Sequence, residues 1–385
     1  MKLLNDNSKA VINVLLVGSS GKIGGIEVFE KDLIMKSRRT RIRFTIMAEE
    51  GLDIPNYQVL LKEGVKFIRF YPRRKSLKKY LADLKRIYTR GIFDIIHINL
   101  VSCSPFELVE YACKYSNSEI IVHSHSSGYT KSFKTKALHL LGRARLRKYA
   151  FNCIACSTEA GKYLFGNRKY DVYYNGIDFK KFKYSSKNRK IVRRELGIDD
   201  SSFVVGDVSS FIPTKNHIFL VKVFSLLKKK ISNAILILVG TGREMPKVKQ
   251  LVEDMGLKNS VLFLGSRPDT EKLYSAFDVY AMPSISEGLS IAICEAQANG
   301  LPCIASSGVT RETDISGNVH FLNIDSIEKW VEAIIKCNRS DEPKLSNSFD
   351  INIATSNIYN YYYSILRNRN SRIFINEKKI IKKRR

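Results

Sequence analysis

Short apolar segments alternate with helix-period segments along most of this 385-residue chain, and this alternation limits the folds it can adopt. Apolar runs without a polar face are typical of parallel strands that are covered on both sides. Strands of this kind alternating with helices predict doubly wound α/β sheets. The expected strands are Ile12–Val17, Arg43–Ala48, Lys66–Phe70, Ile95–Ile98, Ile120–His123, Asn152–Cys156, Phe203–Val208, Ile235–Val239, Val261–Leu264, Val279–Met282 and Pro302–Ala305.

The strands fall into two series, which are separated by the polar, basic stretch 180–194. A chain of this length suits two domains. We therefore expect two Rossmann-like domains that face each other, over residues 1–184 and 185–350, with a basic tail over residues 371–385. Ligands of such sheets bind at the carboxyl ends of the strands, so a cleft between the domains is the expected site.

The charge of the chain is unevenly divided. Residues 1–184 contain 34 basic and 16 acidic residues (net +18), residues 185–365 have a net charge of +1, and residues 366–385 have +8. This partition indicates a polyanionic partner for the front half and the tail. The stretch 131–148 has apolar residues among seven Lys and Arg, which is typical of a basic amphipathic helix that binds an anionic membrane surface. A solvated helix face is the plainer alternative. Nucleic acid is disfavoured, because the basic segments lack a binding motif and interleaved aromatic residues.

The location of the protein is indicated by its apolar runs and its cysteines. No run approaches the roughly 20 residues of a membrane span, and the N-terminus lacks the pattern of a signal peptide. The seven cysteines are scattered, as in a cytosolic protein with reduced thiols. Cys153 and Cys156 have CxxC spacing but lie in a strand-like run, so core thiols are favoured over a zinc or redox site. We expect a cytoplasmic protein that is peripheral at the inner face of the cell membrane.

Two loops carry residues suited to binding a phosphorylated sugar. The glycine-rich segment Gly18–Gly25 follows the first strand, but it is not GxGxxG and no ribose-binding acid follows a second strand, so nicotinamide binding is disfavoured. A structural turn explains this segment equally well. In the second loop, Glu287 and Glu295 lie eight positions apart across a strand-to-helix turn at Gly288. Two such acids can accept hydrogen bonds from sugar hydroxyls, while the helix N-terminus can hold a diphosphate. A capping carboxylate and a solvated helix residue are the plainer alternative.

The stretch Glu287–Ile304 resembles the EX7E signature of the retaining GT-B glycosyltransferases of family 4, and most closely their capsule and exopolysaccharide branch. The resemblance extends over about residues 11–325. It implies the GT-B fold, with two facing Rossmann-like, doubly wound parallel-sheet domains and a helix over residues 351–370 that crosses back to the first domain. The further motifs in the family's order are Gly24–Glu27, His123–Ser126, Asn175–Asp178, Lys215–His217, Leu238–Gly242 and Phe263–Arg267.

The resemblance also implies roles for residues of the first domain. Gly24 and Gly25 match the glycines whose loop approaches the donor diphosphate and the acceptor. His125 matches the histidine that contacts the transferred sugar, and His123 is the alternative.

In the second domain, Lys215 matches the lysine that neutralises the diphosphate. Glu287 matches the acid near the donor sugar, and Glu295 the acid that holds the ribose hydroxyls. With His125, we take Lys215 and Glu287 as the catalytic candidates. The other residues implied in donor binding, through backbone groups or the base-reading loop, are Gly265, Arg267, Gly288, Leu289 and Ser290.

One pair of residues departs from the family pattern. Ser209 and Ser210 stand where the family has Gly-Arg, whose arginine pairs with the leaving diphosphate. A serine at 210 can donate one hydrogen bond but cannot supply the charge of a guanidinium group. Either another cation replaces it, with Arg243, Arg267 and Lys22 as the candidates, or the enzyme is slow or inactive.

The resemblance implies transfer of a sugar from a nucleotide sugar, with UDP favoured over GDP, to a lipid-linked glycan acceptor in the biosynthesis of cell-surface polysaccharide. The chain lacks the metal-binding Asp-x-Asp of the other major glycosyltransferase fold, so we expect no metal and no cofactor besides the nucleotide-sugar co-substrate. The main alternative is a non-catalytic paralogue that acts as a scaffold in a polysaccharide assembly complex. A sugar-nucleotide epimerase and a nucleic-acid-binding protein are further alternatives.

Overall fold

The protein folds into two compact units. A computed structural model describes residues 11–383, except residues 20, 22, 23, 55, 127, 129–132 and 341. One unit comprises Met1–Tyr174 together with Asn352–Arg385, and the other comprises Asn175–Ile351. Each unit has its own parallel sheet and its own apolar core.

The first unit is built on a seven-stranded parallel sheet. Its strands are β1 (Ile12–Val17), β2 (Ile42–Glu49), β3 (Lys66–Phe70), β4 (Ile95–Leu100), β5 (Glu119–Ser124), β6 (Asn152–Ala155) and β7 (Asp171–Val172). They lie in the order β3-β2-β1-β4-β5-β6-β7. All six residues of β4 are buried, as expected of a central strand that is covered on both faces.

Helices connect these strands and cover the sheet. They are α1 (Gly25–Lys36), α2 (Tyr57–Lys62), α3 (Leu77–Tyr88), α4 (Phe106–Tyr115), α5 (Phe133–Leu146) and α6 (Thr158–Phe165). Serines placed just before two of them set where those helices begin. The Ser76 hydroxyl accepts a hydrogen bond from the Lys79 N–H at the start of α3, and Ser157 caps α6 in the same way.

The second unit has a six-stranded parallel sheet in the order β10-β9-β8-β11-β12-β13. These labels stand for β8 (Phe203–Val208), β9 (Ala234–Val239), β10 (Val261–Gly265), β11 (Val279–Met282), β12 (Cys303–Ser306) and β13 (Val319–Leu322). The accompanying helices are α7 (Phe179–Phe182), α8 (Ser186–Glu195), α9 (His217–Lys230), α10 (Met245–Asp254), α11 (Thr270–Ala276), α12 (Ile291–Ala298) and α13 (Ile327–Lys336). The two parallel sheets confirm the doubly wound architecture expected from the apolar pattern.

The last helix, α14 (Ile351–Lys383), returns the chain to the first unit. Ile358, Tyr359, Tyr362 and Ile365 are buried in the core of that unit. The Tyr359 hydroxyl donates a hydrogen bond to the carbonyl oxygen of Leu33 in α1. The helix is therefore part of the first unit's core, although it follows the second unit in sequence.

Helix α5 carries most of the stretch expected to be basic and amphipathic. It buries His139, Gly142 and Leu146 and exposes Phe133 and Leu141, whose exposed fractions are 85% and 65%. Residues 131 and 132 of that stretch lie outside the described residues. Within the part of the chain that the structure describes, no helix combines the length and apolarity that a membrane crossing requires.

Two strands were not anticipated from sequence. β7 has only two residues, and in β13 every residue is at least partly exposed. Both lie at the edge of their sheet, where a strand has one neighbour and needs no continuous apolar run. Their pairing is decided by the neighbouring strand rather than by their own composition.

The basic stretch 180–194 is a folded part of the second unit rather than a linker. Helix α8 lies within it, and the Arg193 side chain is only 1% exposed. Its guanidinium group donates to the Asp278 carboxylate (Nη2–Oδ2 2.8 Å) and to backbone carbonyls. The second unit begins at Asn175, so the boundary expected at residue 184 lies inside it. Phe182 belongs to this unit, since its carbonyl oxygen accepts a hydrogen bond from the Asn299 amide (2.8 Å).

Candidate active site

In the second unit, Lys215 and Glu287 form an ion pair at the carboxyl edge of the sheet. Lys215 ends a 3-10 turn that follows β8, and Glu287 lies in the loop after β11. The two side chains are 14% and 24% exposed, so the pair is accessible but not fully solvated. The Glu287 backbone is held by a hydrogen bond from its N–H to the Gly308 carbonyl (3.0 Å). An ammonium group has three donors, so Lys215 can pair with Glu287 and still contact a second anion.

The residues after Glu287 lead into the N-terminus of α12. Gly288 is partly exposed, whereas Leu289 and Ser290 are buried. The Ser290 hydroxyl donates to the sulfur of Met282 and does not cap the helix. The first N–H groups of α12 therefore lack a hydroxyl cap from Ser290, and such groups attract an anion.

Glu295 lies one helical turn further along α12. Its carboxylate accepts a hydrogen bond from the Tyr274 hydroxyl (2.9 Å). Burial raises the pKa of Tyr274 well above its usual value, so this phenol stays a neutral donor. The contact fixes the position of the Glu295 carboxylate.

The two serines that depart from the family pattern have different surroundings. The Ser209 hydroxyl donates to the buried Asp207 carboxylate (3.0 Å) and lies 3.1 Å from Nε2 of His217, whereas Ser210 is exposed. Asp207 also lies 3.3 Å from the same nitrogen of His217. In a hydrolytic Ser-His-Asp triad the two partners contact opposite ring nitrogens, so this cluster is not one.

The backbone of the loop after β9 lies close to the backbone of residues 209–211. A Cβ atom at Gly240 would lie 2.1 Å from the Ser209 carbonyl oxygen, and one at Gly242 would lie 2.3 Å from that of Phe211. The Glu244 N–H also donates to the Phe211 carbonyl oxygen (3.0 Å). Arg243 therefore lies in a loop whose backbone contacts Phe211, the residue after Ser210.

The cations named as replacements for the missing arginine differ in their partners. Arg243 has a side chain that is 76% exposed, with Nε 3.9 Å from the Glu244 carboxylate. Arg267 donates twice to the Asp269 carboxylate (2.8 and 2.9 Å) and once to Glu195 (2.8 Å). These carboxylates raise the pKa of Arg267 and neutralise its charge. Lys22 lies outside the described residues.

Gly265 and the first-unit glycines lie where the backbone is open. Gly265 has φ +65°, ends β10, and accepts a hydrogen bond from the Gly240 N–H (2.7 Å). Gly24 immediately precedes α1 and Gly25 is its first residue. Both glycines are exposed, and a Cβ atom at Gly25 would meet no atom of the described residues within 4 Å.

In the first unit, the rings of three histidines lie together, with His97 on β4, His123 on β5 and His125 directly after β5. The His123 and His125 rings have centroids 3.9 Å apart, and Nε2 of His97 lies 3.2 Å from Nδ1 of His123. His97 is also hydrogen-bonded to the Tyr362 hydroxyl of α14 (2.6 Å). Burial lowers the pKa of His97 and of His125 to about 3 and that of His123 well below its usual value, so all three rings are neutral at pH 7.

The hydrogen bond of His125 defines its tautomer. Its Nε2 donates to the side-chain oxygen of Asn99 (2.9 Å), and the Asn99 amide donates to the Glu30 carboxyl (2.7 Å). Since an amide oxygen only accepts, Nε2 carries the proton and Nδ1 is an acceptor. Among the described residues, Nδ1 of His125 has no hydrogen-bond partner. It can therefore accept a hydrogen bond from a ligand hydroxyl.

Glu30 ends this hydrogen-bonded chain. It is 2% exposed, and its carboxyl also accepts a hydrogen bond from the Ser19 hydroxyl. Burial raises the pKa of Glu30 to about 7, against the opposing effect of the Ser19 and Asn99 hydrogen bonds. The charge of this group therefore changes near neutral pH.

Sequence analysis did not identify Glu30, His97, Asn99 or Tyr362. His97 and Asn99 are two positions apart on β4, and His123 and His125 are two positions apart at the end of β5. Side chains with this spacing lie on one face of a sheet, so the sequence could have indicated that these residues are near each other. The contact with Tyr362 had no such signal, because it joins residues 265 positions apart.

No three His, Cys, Asp or Glu side chains within the described ranges are grouped to hold a metal, and the cysteines there are free thiols.

Comparison with known proteins agrees with this fold. Residues 188–353 match the family described as Glycosyl transferases group 1. The chain is 27% identical over 355 residues to the "Putative glycosyltransferase EpsF" of Bacillus subtilis, covering 89% of this chain and 91% of the relative. It is 25% identical over 316 residues to the "UDP-Gal:alpha-D-GlcNAc-diphosphoundecaprenol alpha-1,3-galactosyltransferase" of Escherichia coli, covering 76% and 80% of the two chains.

Among solved structures, the Anabaena protein Alr3699/HepE in complex with UDP-glucose superposes with a TM-score of 0.77. The match covers 92% of this chain and 100% of that one, at 22% identity. This similarity confirms the expected GT-B fold. The chain is thus related to the group 1 glycosyltransferases.

Proposed function

We propose that this chain, a relative of the group 1 glycosyltransferases, transfers a sugar from a UDP-sugar to a lipid-linked glycan with retention of anomeric configuration, in the biosynthesis of cell-surface polysaccharide. The observation that carries the proposal is the Lys215–Glu287 pair, which lies beside the N-terminus of α12 at the carboxyl edge of the second sheet. Ligands of doubly wound sheets bind at this edge.

The second unit supplies the groups needed to hold the donor. In this proposal, the Lys215 ammonium group and the backbone N–H groups of Gly288, Leu289 and Ser290 bind the diphosphate. Glu295 accepts hydrogen bonds from the ribose hydroxyls, and Glu287 lies beside the sugar. Departure of the nucleoside diphosphate is the difficult step, and fixed positive charge on the diphosphate lowers that barrier.

His125 is the candidate group of the first unit that contacts the transferred sugar. Its neutral ring and unpaired Nδ1 suit it to accept a hydrogen bond from a sugar hydroxyl. Gly24 and Gly25, at the start of α1, offer backbone N–H groups to the donor or the acceptor. We further propose that these side-chain cations and helix-end groups make the reaction independent of metal.

The acceptor and the location are proposed from charge and from one relative. The Escherichia coli enzyme is named for an acceptor that carries a diphosphoundecaprenol group, which supports a lipid-linked acceptor here. The first half of the chain has a net charge of +18, and α5 presents exposed Phe133 and Leu141 among basic residues. These features support a cytoplasmic protein that binds the anionic inner face of the cell membrane.

The donor proposal is tested by calorimetric titration with UDP and with GDP, first without metal and then with magnesium. We expect micromolar UDP binding without metal. Lys215→Ala should weaken it by about 10- to 100-fold, since hydrogen bonds to charged groups contribute about 1.5–3 kcal/mol. Lys222→Ala, an exposed lysine of α9, is the matched control. Failure of the folded protein to bind either nucleotide would overturn the proposal.

A non-catalytic scaffold is the second candidate, and exposed Ser210 in place of the family's arginine is the observation that favours it. The two candidates differ in turnover. An enzyme should release UDP from a UDP-sugar when a diphosphate-linked prenyl glycan is supplied, whereas a scaffold should not. Assay of a panel of UDP-sugars with such an acceptor, using Glu287→Gln as the inactive control, separates them.

A further inference from the structure

A cavity of about 320 Å³ lies in the first unit, away from the histidine cluster. Val122 of β5 lines it, whereas the flanking Ile121 and His123 face the core that contains α1 and α14. Because neighbouring strand residues point to opposite faces, the cavity lies on the other side of the sheet from the candidate active site. Its volume is at the lower end of the range for small-molecule sites.

Much of the lining of the cavity is apolar. Leu146 of α5, Leu164 and Phe165 of α6, and Phe151 before β6 line it together with Val122. Helix α5 comes this close because a Cβ atom at residue 142 would lie 1.9 Å from the Cys103 carbonyl oxygen, which only glycine avoids. The Cys103 thiol also lines the cavity, and burial raises its pKa to about 12, so it brings no negative charge.

Three arginines line the same cavity, and none of the residues found to line it is acidic. Arg168 is held in place, since it donates to the Tyr149 carbonyl (2.7 Å) and stacks 4.1 Å from the Phe151 ring centroid. Among the described residues, no carboxylate pairs with Arg143, Arg147 or Arg168. They differ in this from Arg38, Arg73 and Arg145 of the same unit, which are paired with glutamates.

We propose that this cavity binds one anionic membrane lipid, with its phosphate headgroup against Arg143, Arg147 and Arg168 and a hydrocarbon chain against the apolar walls. Charge-assisted hydrogen bonds from guanidinium groups suit a phosphate. The source of the lipid is a membrane, because the helix that lines the cavity also exposes Phe133, Leu140 and Leu141. The inference does not depend on the transfer reaction.

The site is tested on the full-length protein by calorimetry with a short-chain phosphatidic acid below its micellar concentration. We expect binding that is at least tenfold tighter than that of inorganic phosphate or of the zwitterionic phosphatidylcholine of equal chain length. The double variant Arg143→Gln/Arg147→Gln should weaken it by about tenfold or more, since each lost charge-assisted bond is worth about a factor of ten. Arg90→Gln, an exposed arginine of the same unit, is the control and should leave binding unchanged.

A second variant separates the cavity from the surface of α5. Phe133→Ser/Leu141→Ser should reduce binding to anionic vesicles and retain binding of the short-chain lipid. Leu164→Trp, which fills the cavity, should abolish the latter, with circular dichroism as the check of folding. Equal affinity for phosphatidic acid and phosphate, equal affinity for the two lipids, or no binding by the folded protein would each overturn the proposal.

Discussion

The Tyr362 hydroxyl of α14 lies 2.6 Å from Nδ1 of His97 in β4, a residue 265 positions earlier in the chain. His97 in turn contacts His123, whose ring centroid lies 3.9 Å from that of His125. The last helix thus supports the candidate catalytic histidine, His125, indirectly, through His97 and His123. Tyr362 is in this sense a positioning residue.

Replacement of Tyr362 by Phe leaves a buried ring nitrogen of His97 unpaired. We expect a loss of about 1–3 kcal/mol in the free energy of unfolding, as for other buried polar groups that lose their partner. We also expect a lower kcat with little change in KM for the nucleotide sugar, which a purely structural role would not produce. Tyr363→Phe, at a side chain that is 41% exposed, is the control. Unchanged urea unfolding of Tyr362→Phe would contradict this account.

The raised pKa of Glu30 predicts a pH-dependent stability. Between the ordinary value of 4.5 and about 7 the unfolded chain has lost this proton and the folded chain keeps it. The group's contribution to stability therefore falls as pH rises through this window, by about 3 kcal/mol in total, since one pKa unit corresponds to about 1.4 kcal/mol.

Glu30→Gln mimics the protonated acid and should remove this fall. Its amide can donate to Ser19 while its oxygen accepts from Asn99. Urea unfolding of both proteins between pH 4.5 and 8 measures the difference, which should grow in favour of the variant with rising pH. Parallel pH profiles of the two proteins would show that Glu30 does not keep its proton in the folded state.

Arg243 is an exposed cation in the loop that contacts residues 209 and 211, and we therefore predict that it replaces the missing arginine. Arg243→Gln should weaken UDP binding by about tenfold, because hydrogen bonds to charged groups contribute about 1.5–3 kcal/mol. Ser210→Arg should strengthen it, and in that background the effect of Arg243→Gln should shrink, since both cations would serve one diphosphate. Calorimetry on the four proteins of this cycle is the measurement. Additive effects, or an unaltered affinity in Arg243→Gln, would assign the role to another group.

We expect the effect of replacing Glu295 on nucleotide affinity to depend on the ribose hydroxyls of the nucleotide. Glu295→Ala should weaken UDP binding by about 10- to 100-fold, since hydrogen bonds that a carboxylate accepts are among the stronger ones. The same substitution should hardly change the affinity for a dideoxyuridine diphosphate that lacks both ribose hydroxyls. Glu312→Ala, another acid of the second unit, serves as the comparison. Equal losses for both nucleotides would mean that Glu295 acts on the fold rather than on the ribose.

Much of the fold was readable from local patterns. β1, β3, β8 and β11 have the bounds expected from sequence. For the inner strands β1, β8 and β11 the reason is that strands covered on both faces are largely apolar. The edge strands β7 and β13 were not predicted. A strand with one neighbour is held mainly by backbone hydrogen bonds, which do not depend on an apolar composition.

The candidate site was readable only in part. Lys215, Glu287 and Glu295 stand in motifs with recognisable spacing, and the structure pairs the first two. The engagement of Arg267 by Asp269 and Glu195, which removes it as a free cation, required the folded chain. A side chain's availability depends on what packs beside it, and sequence spacing does not record that.

The sequence by itself determined the alternation of strands and helices, the two parallel sheets and the order of the motifs, because each follows from residues close together in the chain. Only the tertiary structure decided that α14 completes the first unit's core, that Tyr362 supports the histidines, and that three arginines share a cavity in which none of the described lining residues is acidic. These features join residues separated by tens to hundreds of positions. They arise from the packing of helices on a sheet, where burial and register select partners that no local pattern specifies.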